Sequence, residues 1–276
     1  MSSINTNASA MNALSTLRMI NSSLTDTQGR VSSGLKVQSA KDNAAYFSIS
    51  ETMRSDSGMY RAIDESLTLT KNSVSTGRLG AETVVGLAQQ FVDRLAFAQQ
   101  EGVDREKVQA ELDGLVAQID TTIKQSSFNG QSMVDSTTAV TVVTGVTRDG
   151  GTFATSTMTI TPVDLTAIHT ALDGIAIANG DDAATMAAAL TAAEAQLANA
   201  IEGATSLGVA ENSIETQQEF LSSLSDRLDS GIGAMVDADM EEEAARLQSL
   251  QVQQQLATQS LSIANQAPQN ILSLFR

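Results

Sequence analysis

Along most of this chain apolar residues recur at alternating steps of three and four, the spacing of helices that bury one stripe. The pattern is most telling from Leu247 to Phe275, a stretch that contains no Asp, Glu, Lys or Arg. Gln248, Gln251, Gln253, Gln254, Gln255, Gln259, Asn265, Gln266 and Gln269 interrupt every apolar run, so it does not read as a membrane span. Leu247, Leu250, Ala257, Leu261 and Ala264 form one stripe, with Gln254 in the vacant slot. Val252, Leu256 and Ile263 form a second stripe on a different face. A helix that only rests on a core needs one stripe and a charged outer face. Two stripes and no charge predict a subunit-contact helix, buried around most of its circumference.

Taken in order, residues 1–41 place Ile4, Ala8, Met11, Leu14, Leu17, Ile20, Leu24 and Val31 at roughly helical spacing. Ser32-Ser33-Gly34 reads as a break. A second helix starts near Asp42, a candidate cap. Its stripe is Tyr60, Ile63, Leu67, Thr70, Val74, Gly77, Ala81, Val84, Ala88, Phe91, Leu95 and Ala98, a heptad seam without a skip. Gly102 ends it, and Asp104 is placed to cap a shorter helix with the seam Val108, Leu112, Leu115, Ile119 and Thr122. That helix stops at the turn Phe128-Asn129-Gly130 and is expected to fold back antiparallel on the long one.

From Ser136 to Thr161 the composition turns to Thr and Val. Val140, Val142, Val143 and Val146 precede Arg148-Asp149-Gly150-Gly151, with Phe153, Met158 and Ile160 after it, which predicts a hairpin with an Asp-Gly turn closed by Pro162. Residues 163–180 are weakly patterned. From Asp182 helix signals return, and Leu207, Ile214, Leu221, Leu228 and Met235 lie seven apart, matching the seam of residues 60–98. Leu190 and Leu197 lie in another register, which implies a stutter near Gly203. Gly231 and Gly233 suggest a hinge before the acidic group Asp237, Asp239, Glu241, Glu242 and Glu243.

The order is palindromic: terminal helix, seam helix, variable middle, seam helix, terminal helix. It predicts a mainly α fold, a long antiparallel coiled-coil-like bundle formed by both chain ends, with a small β-hairpin-containing central insertion. The boundaries fall at 1–41, 42–135, 136–181, 182–236 and 237–276.

Composition narrows the function. Of 276 residues 42% are hydrophobic but only 3% aromatic, with no Trp, which suits long helices better than a deep pocket. A net charge of −16 argues against nucleic acid and against an anionic membrane as partners. Residues 1–41 run the other way, with Arg18, Arg30, Lys36 and Lys41 against Asp26, a local balance of +3. No Cys is available for disulfides, thiol chemistry or metal. Met1-Ser-Ser-Ile-Asn-Thr-Asn lacks the regions of a secretory signal, so this test alone places the chain in the cytoplasm. An export route that reads something else leaves no such mark.

Candidate chemistry is thin. His169 is the single His, without Cys or a second His beside it, so it offers neither a metal site nor a catalytic base. The acidic group at 237–243 lacks the Gly and spacing of a calcium loop, and acids at a helix start stabilise the macrodipole. Gly231 and Gly233 follow no strand, as a phosphate loop would require, and His-Glu-x-x-His is absent. The Met residues fall mostly on helix seams and read as core. Thr in the hairpin fits β-propensity as well as it fits O-glycan attachment. No cofactor and no enzymatic activity are expected.

The motifs resemble bacterial flagellin. Toward the N-terminus these are Ser3-Ile-Asn-Thr-Asn, Arg30-Val-Ser-Ser-Gly-Leu-Lys-Val and Ser39-Ala-Lys-Asp-Asn-Ala-Ala, followed by Ser127-Phe-Asn-Gly. Further on come Leu207-Gly-Val-Ala-Glu-Asn, Asp237-Ala-Asp-Met, Leu261-Ser-Ile-Ala-Asn-Gln-Ala-Pro-Gln and Ile271-Leu-Ser-Leu-Phe-Arg. Residues 136–204 carry no such motif. The resemblance implies a structural subunit that assembles into the flagellar filament for swimming motility, exported by the flagellar type III route to an extracellular flagellum. It implies copies of itself, cap and hook-junction proteins and an export chaperone as partners. Paired terminal helices would line the filament core and the seam helices the tube around it.

Polymerisation contacts are then expected at Ile4, Met11, Leu14, Leu17, Ile20, Leu24, Leu247, Leu250, Val252, Leu256, Leu261, Ile263, Ile271, Leu272, Leu274 and Phe275. The intrachain seam is expected at Tyr60, Ile63, Leu67, Val74, Val84, Phe91, Leu95, Leu207, Ile214, Leu221, Leu228 and Met235. The end segments cannot bury their apolar faces alone and are expected to fold as neighbours join. Gln90-Phe-Val-Asp-Arg-Leu-Ala departs from the basic segment that an innate immune receptor reads in many flagellins, which argues against recognition by that receptor. A hook–filament junction protein, a hydrolase in a flagellin-like shell and a secreted coiled-coil adhesin are the alternatives.

Overall fold

The computed structural model describes residues 7–149 and 152–273. The chain divides into two compact units, one formed by the residues up to Asp56 with those from Asp226 onward, the other by Ser57–Ser225.

The first unit opens with α1 (Ala8–Ser33). Asn7 caps it by accepting from the Ala10 amide, and Gly34, at φ 74°, ends it in the left-handed region that glycine enters without a Cβ clash. The next helix, α2 (Ala44–Phe97), does not start on Asp42. Its first amides, on Ala45 and Tyr46, donate to Asn43 Oδ1. Asp42 is taken up one step earlier, accepting from the Gln38 and Ser39 amides and from Ser39 Oγ.

At the other end of the unit α5 (Ala183–Val236) is followed by α6 (Met240–Ser273). The predicted hinge at Gly231 and Gly233 is absent, because both lie inside α5. Gly231 instead allows Met53 to approach, to 3.0 Å from where a Cβ would sit. The chain turns at 237–239, where Leu35 bridges Asp237, the Lys36 amide donates to Val236 O and the Ala238 amide donates to Gly34 O. Val37, Ile232 and Val236 are buried there, with Leu35, Phe47 and Met53 packed around them.

In the second unit α3 (Arg105–Gln125) runs back along α2: Gly80 lies against Ser126 and the Arg94 guanidinium 3.3 Å from Glu111. Asp104 makes no side-chain capping bond and pairs with Lys107 instead. The buried face of α3 is Val108, Leu112, Val116, Ile119 and Ile123, while Leu115 and Thr122 are only half-buried on its flank. β1 (Ser127–Phe128) and β2 (Gln131–Ser132) close through Asn129 and Gly130, both at positive φ. That is the two-residue turn whose twist suits a hairpin.

β3 (Val140–Asp149) and β4 (Thr152–Ile160) pair antiparallel, with a register irregularity between Val143 and Gly145 that the sequence pattern did not disclose. The turn expected at Gly150-Gly151 lies outside the described residues. The weakly patterned segment holds a helix, α4 (Leu165–Asp173), capped by Asp164 and buried through Leu165, Ile168 and Leu172.

In α5 the seam shows no stutter. Met186, Ala193, Ala200, Leu207, Ile214 and Leu221 are all buried, each seven residues from the last. Leu190 and Leu197 occupy the alternate positions of the same seam and are half-buried. Facing residues on α2, from Leu67 through Val74, Val84 and Phe91 to Leu95, are fully buried, with Tyr60 and Ile63 packed at the margin. Leu228 and Met235 fall in the first unit, where both are half-buried.

Candidate subunit interface

Helices α1 and α6 pair in the first unit. Three polar contacts fix their register. Asn7 Nδ2 donates to Ala264 O at 2.8 Å, Gln254 Nε2 to Asn21 Oδ1 at 2.8 Å, and Arg30 Nη1 lies 3.2 Å from Glu243 Oε1. As the α1 number rises from 7 to 30 the α6 number falls from 264 to 243, so the pair is antiparallel.

Between these points the first stripe is covered. Leu247, Leu250, Gln254, Ala257, Leu261 and Ala264 are half-buried, facing a stripe on α1 of Ala10, Ala13, Leu17, Ile20, Leu24 and Val31, with Thr27 buried. Gln254 does what its slot suggests, joining its amide to Asn21. Ala10 and Ala13 are too small to stand out in the sequence beside the larger Met11 and Leu14. At those small positions the two helices can come close.

The second stripe is bare. Val252, Leu256 and Ile263 are exposed, Leu256 at 65%. On α1 Met11, Leu14 and Met19 are exposed too, Met19 at 65%. Of the remaining positions expected at a subunit contact, Ile4, Leu274 and Phe275 lie outside the described residues, and Ile271 and Leu272 fall where only the α6 backbone is described. The first charged residue of the chain is Arg18, so the charge-free start of α1 lies along the charge-free part of α6. Apolar and neutral amide groups remain at this surface, which a second copy can approach without like charges meeting.

The acidic group resolves into structural parts. Asp239 caps α6, accepting from the Glu241 and Glu242 amides at 3.0 and 3.2 Å. Glu243, its side chain 7% exposed, lies between Arg30 and Arg246. His169 is half-buried in α4. Among the described residues no group of three His, Cys, Asp or Glu could hold a metal ion, and no helix is long and apolar enough to cross a membrane.

Two family models match: the bacterial flagellin N-terminal helical region over residues 4–139 and the bacterial flagellin C-terminal helical region over residues 190–275. A flagellin of Brucella melitensis is 37% identical, aligned over 100% of both chains. Flagellin C of Rhizobium meliloti is 34% identical over 100% of both, and flagellin FljK of Caulobacter vibrioides 35% identical over 100% of this chain and 99% of that one. A solved structure assigned to a flagellar hook-associated protein of Vibrio parahaemolyticus aligns with 71% of this chain and 100% of its own, at a TM-score of 0.51 and 14% identity. It bears on the fold alone.

Proposed function

We propose, from the premise that this chain belongs to the bacterial flagellin family, that the half-covered α1–α6 pair is the surface through which its copies join. The chain is a structural subunit of the flagellar filament, and so a motility protein of an extracellular appendage. Whole-length likeness to flagellins favours that role over the hook–filament junction and over an adhesin. Our reading assigns the terminal segments, 1–41 and 237–276, to contacts in the filament core, and holds that export needs no cleaved signal peptide. Cap proteins, junction proteins and an export chaperone are its proposed further partners. A structural role leaves no need for a catalytic site.

One observation carries the interface: pairing within the chain covers the first stripe of α6 and leaves Val252, Leu256 and Ile263 in water. Head-to-tail contacts that do not close on themselves build an open helix of subunits. Such contacts would cover the second stripe as well.

Leu256→Glu tests this. In the free chain Leu256 is mostly exposed, so the substitution removes little packing and the thermal melt should stay where it is. In the filament the carboxylate would be desolvated without a partner, at a cost of ~3 kcal/mol or more per subunit. Elongation adds one subunit at a time, so the critical concentration should rise more than about a hundredfold. Gln253→Glu, off both stripes, should be milder. If Leu256→Glu protein sediments as filaments at the wild-type concentration, the second stripe is not an interface.

A further inference from the structure

We propose that Asn129 is a site of spontaneous deamidation, where the chain converts its own turn amide to a mixture of aspartate and isoaspartate with time. Two Asn-Gly pairs occur in the sequence, Asn129-Gly130 and Asn179-Gly180, and the structure treats them oppositely. The chemistry requires the amide nitrogen after the Asn to reach the side-chain carboxamide carbon. Glycine offers least hindrance there because it has no Cβ.

At the first pair the side chain is not held against that approach by any described residue. Asn129 and Gly130 are both exposed, at the tip of the β1–β2 hairpin. Among the described residues the Asn129 carboxamide has no hydrogen-bond partner. Phe128 and Gln131 are the closing pair of the ladder, so the Gly130 N–H is left out of it and is open to water.

At the second pair both ends of the carboxamide are held. Asn179 Oδ1 accepts from the Arg105 amide at 2.8 Å, and Nδ2 donates to Asp104 Oδ1 at 3.5 Å. The surrounding loop is tied as well, since the Ala178 amide donates to Asp181 Oδ2 and the Asp181 amide to Ala178 O.

The reaction balances without any co-reactant but water. Gly130 N, losing its proton, forms a bond to Asn129 Cγ, and the Cγ–Nδ2 bond breaks with release of ammonia. Water then opens the resulting succinimide at either carbonyl. Opening at one restores the backbone as aspartate. Opening at the other routes the backbone through the side-chain carbon and leaves isoaspartate.

Isoaspartate adds a methylene to a turn that holds only two residues, and both products add a negative charge. The hairpin is seated closely, with Ser126 against Gly80 and Met133 Cβ only 2.8 Å from where a Cβ at Gly77 would lie. A lengthened turn therefore strains packing on α2, and the site acts as a record of subunit age.

The test is ageing of the purified full-length protein at mildly alkaline pH, with peptide mapping by mass spectrometry at intervals. Native Asn129 should convert at least about tenfold faster than native Asn179, because the latter must first break two hydrogen bonds. In denaturant the two should convert at similar rates, which shows that the folded surroundings make the difference. Asn129→Asp should abolish ammonia release from that peptide and leave only the much slower isoaspartate formation of an Asp-Gly pair, which loses water instead, while the fold, by circular dichroism, stays unchanged. Equal native rates at the two sites, or no conversion at Asn129 over a time in which the denatured chain converts, would overturn the proposal.

Discussion

At the scale of single residues, the short link between α1 and α2 shows how one carboxylate organises a turn. The Gln38 amide, then the Ser39 amide and hydroxyl, hold the Asp42 carboxyl below the usual carboxylate range, helped by the Arg30 charge. A group whose folded pKa is depressed contributes stability above its unfolded pKa, and that contribution is lost as pH falls through the folded value. Acidification from neutrality to below the ordinary aspartate range should therefore loosen residues 36–43, while at neutral pH the turn is intact. Asp42→Asn should show the loosened turn already at neutral pH. Hydrogen exchange at the Gln38 and Ser39 amides measures both, and protection in Asp42→Asn equal to wild type would contradict the account. Asp42, marked by its place before α2 as a cap, closes the preceding turn instead. An Asp just before a helix has two sets of amides within reach, and the three donors behind it outcompeted the helix, for which Asn43 was the next acceptor.

At the scale of elements, glycines in α2 behave in opposite ways although the helix looks uniform in sequence. A Cβ at Gly80 would overlap Ser126 Oγ, and one at Gly77 would press on Met133. Gly86, also in α2, faces open space. In a helix interior Ala is better than Gly by roughly 0.5–1 kcal/mol. Gly86→Ala should gain about that much in a thermal or denaturant melt, whereas Gly80→Ala should lose about 1–3 kcal/mol through overpacking. Stabilisation by both substitutions would mean that Ser126, where α3 passes into β1, does not pack on α2 as described. Legibility followed the same division. Where seams carried Leu, Ile or Phe at regular steps, as from Tyr60 to Ala98, the elements could be read directly. Where Ala193 and Ala200 continued the heptad, the apolar signal was too weak, and the larger Leu190 and Leu197 suggested a shift of register that is not there. The helix α4 was hidden for another reason: nine residues carry three stripe positions, and only Asp164 at its cap marks the start.

At the scale of the whole molecule, charge and apolar surface pull assembly in opposite directions, and their separation along the chain decides which can be tuned. The net charge is −16, of which the first 41 residues contribute +3, leaving −19 to the rest. Attraction between the basic segment of one copy and the acidic surface of another is thus outweighed by repulsion among acidic surfaces. Exposed charges interact over a Debye length of about 30 Å at 0.01 M salt and only about 8 Å at physiological strength. Raising ionic strength across that interval should lower the critical concentration for filament formation, as measured by sedimentation of the polymer at fixed temperature. The same salt should do little for Leu256→Glu, because the penalty there is the desolvation of a buried carboxylate, which mobile ions scarcely screen. The two responses together separate the mechanisms. A wild-type critical concentration that rises with salt would show that attraction across the basic segment dominates. Rescue of Leu256→Glu by salt would show that its defect is ordinary surface repulsion, and that the bare stripe of α6 stays in water within the filament.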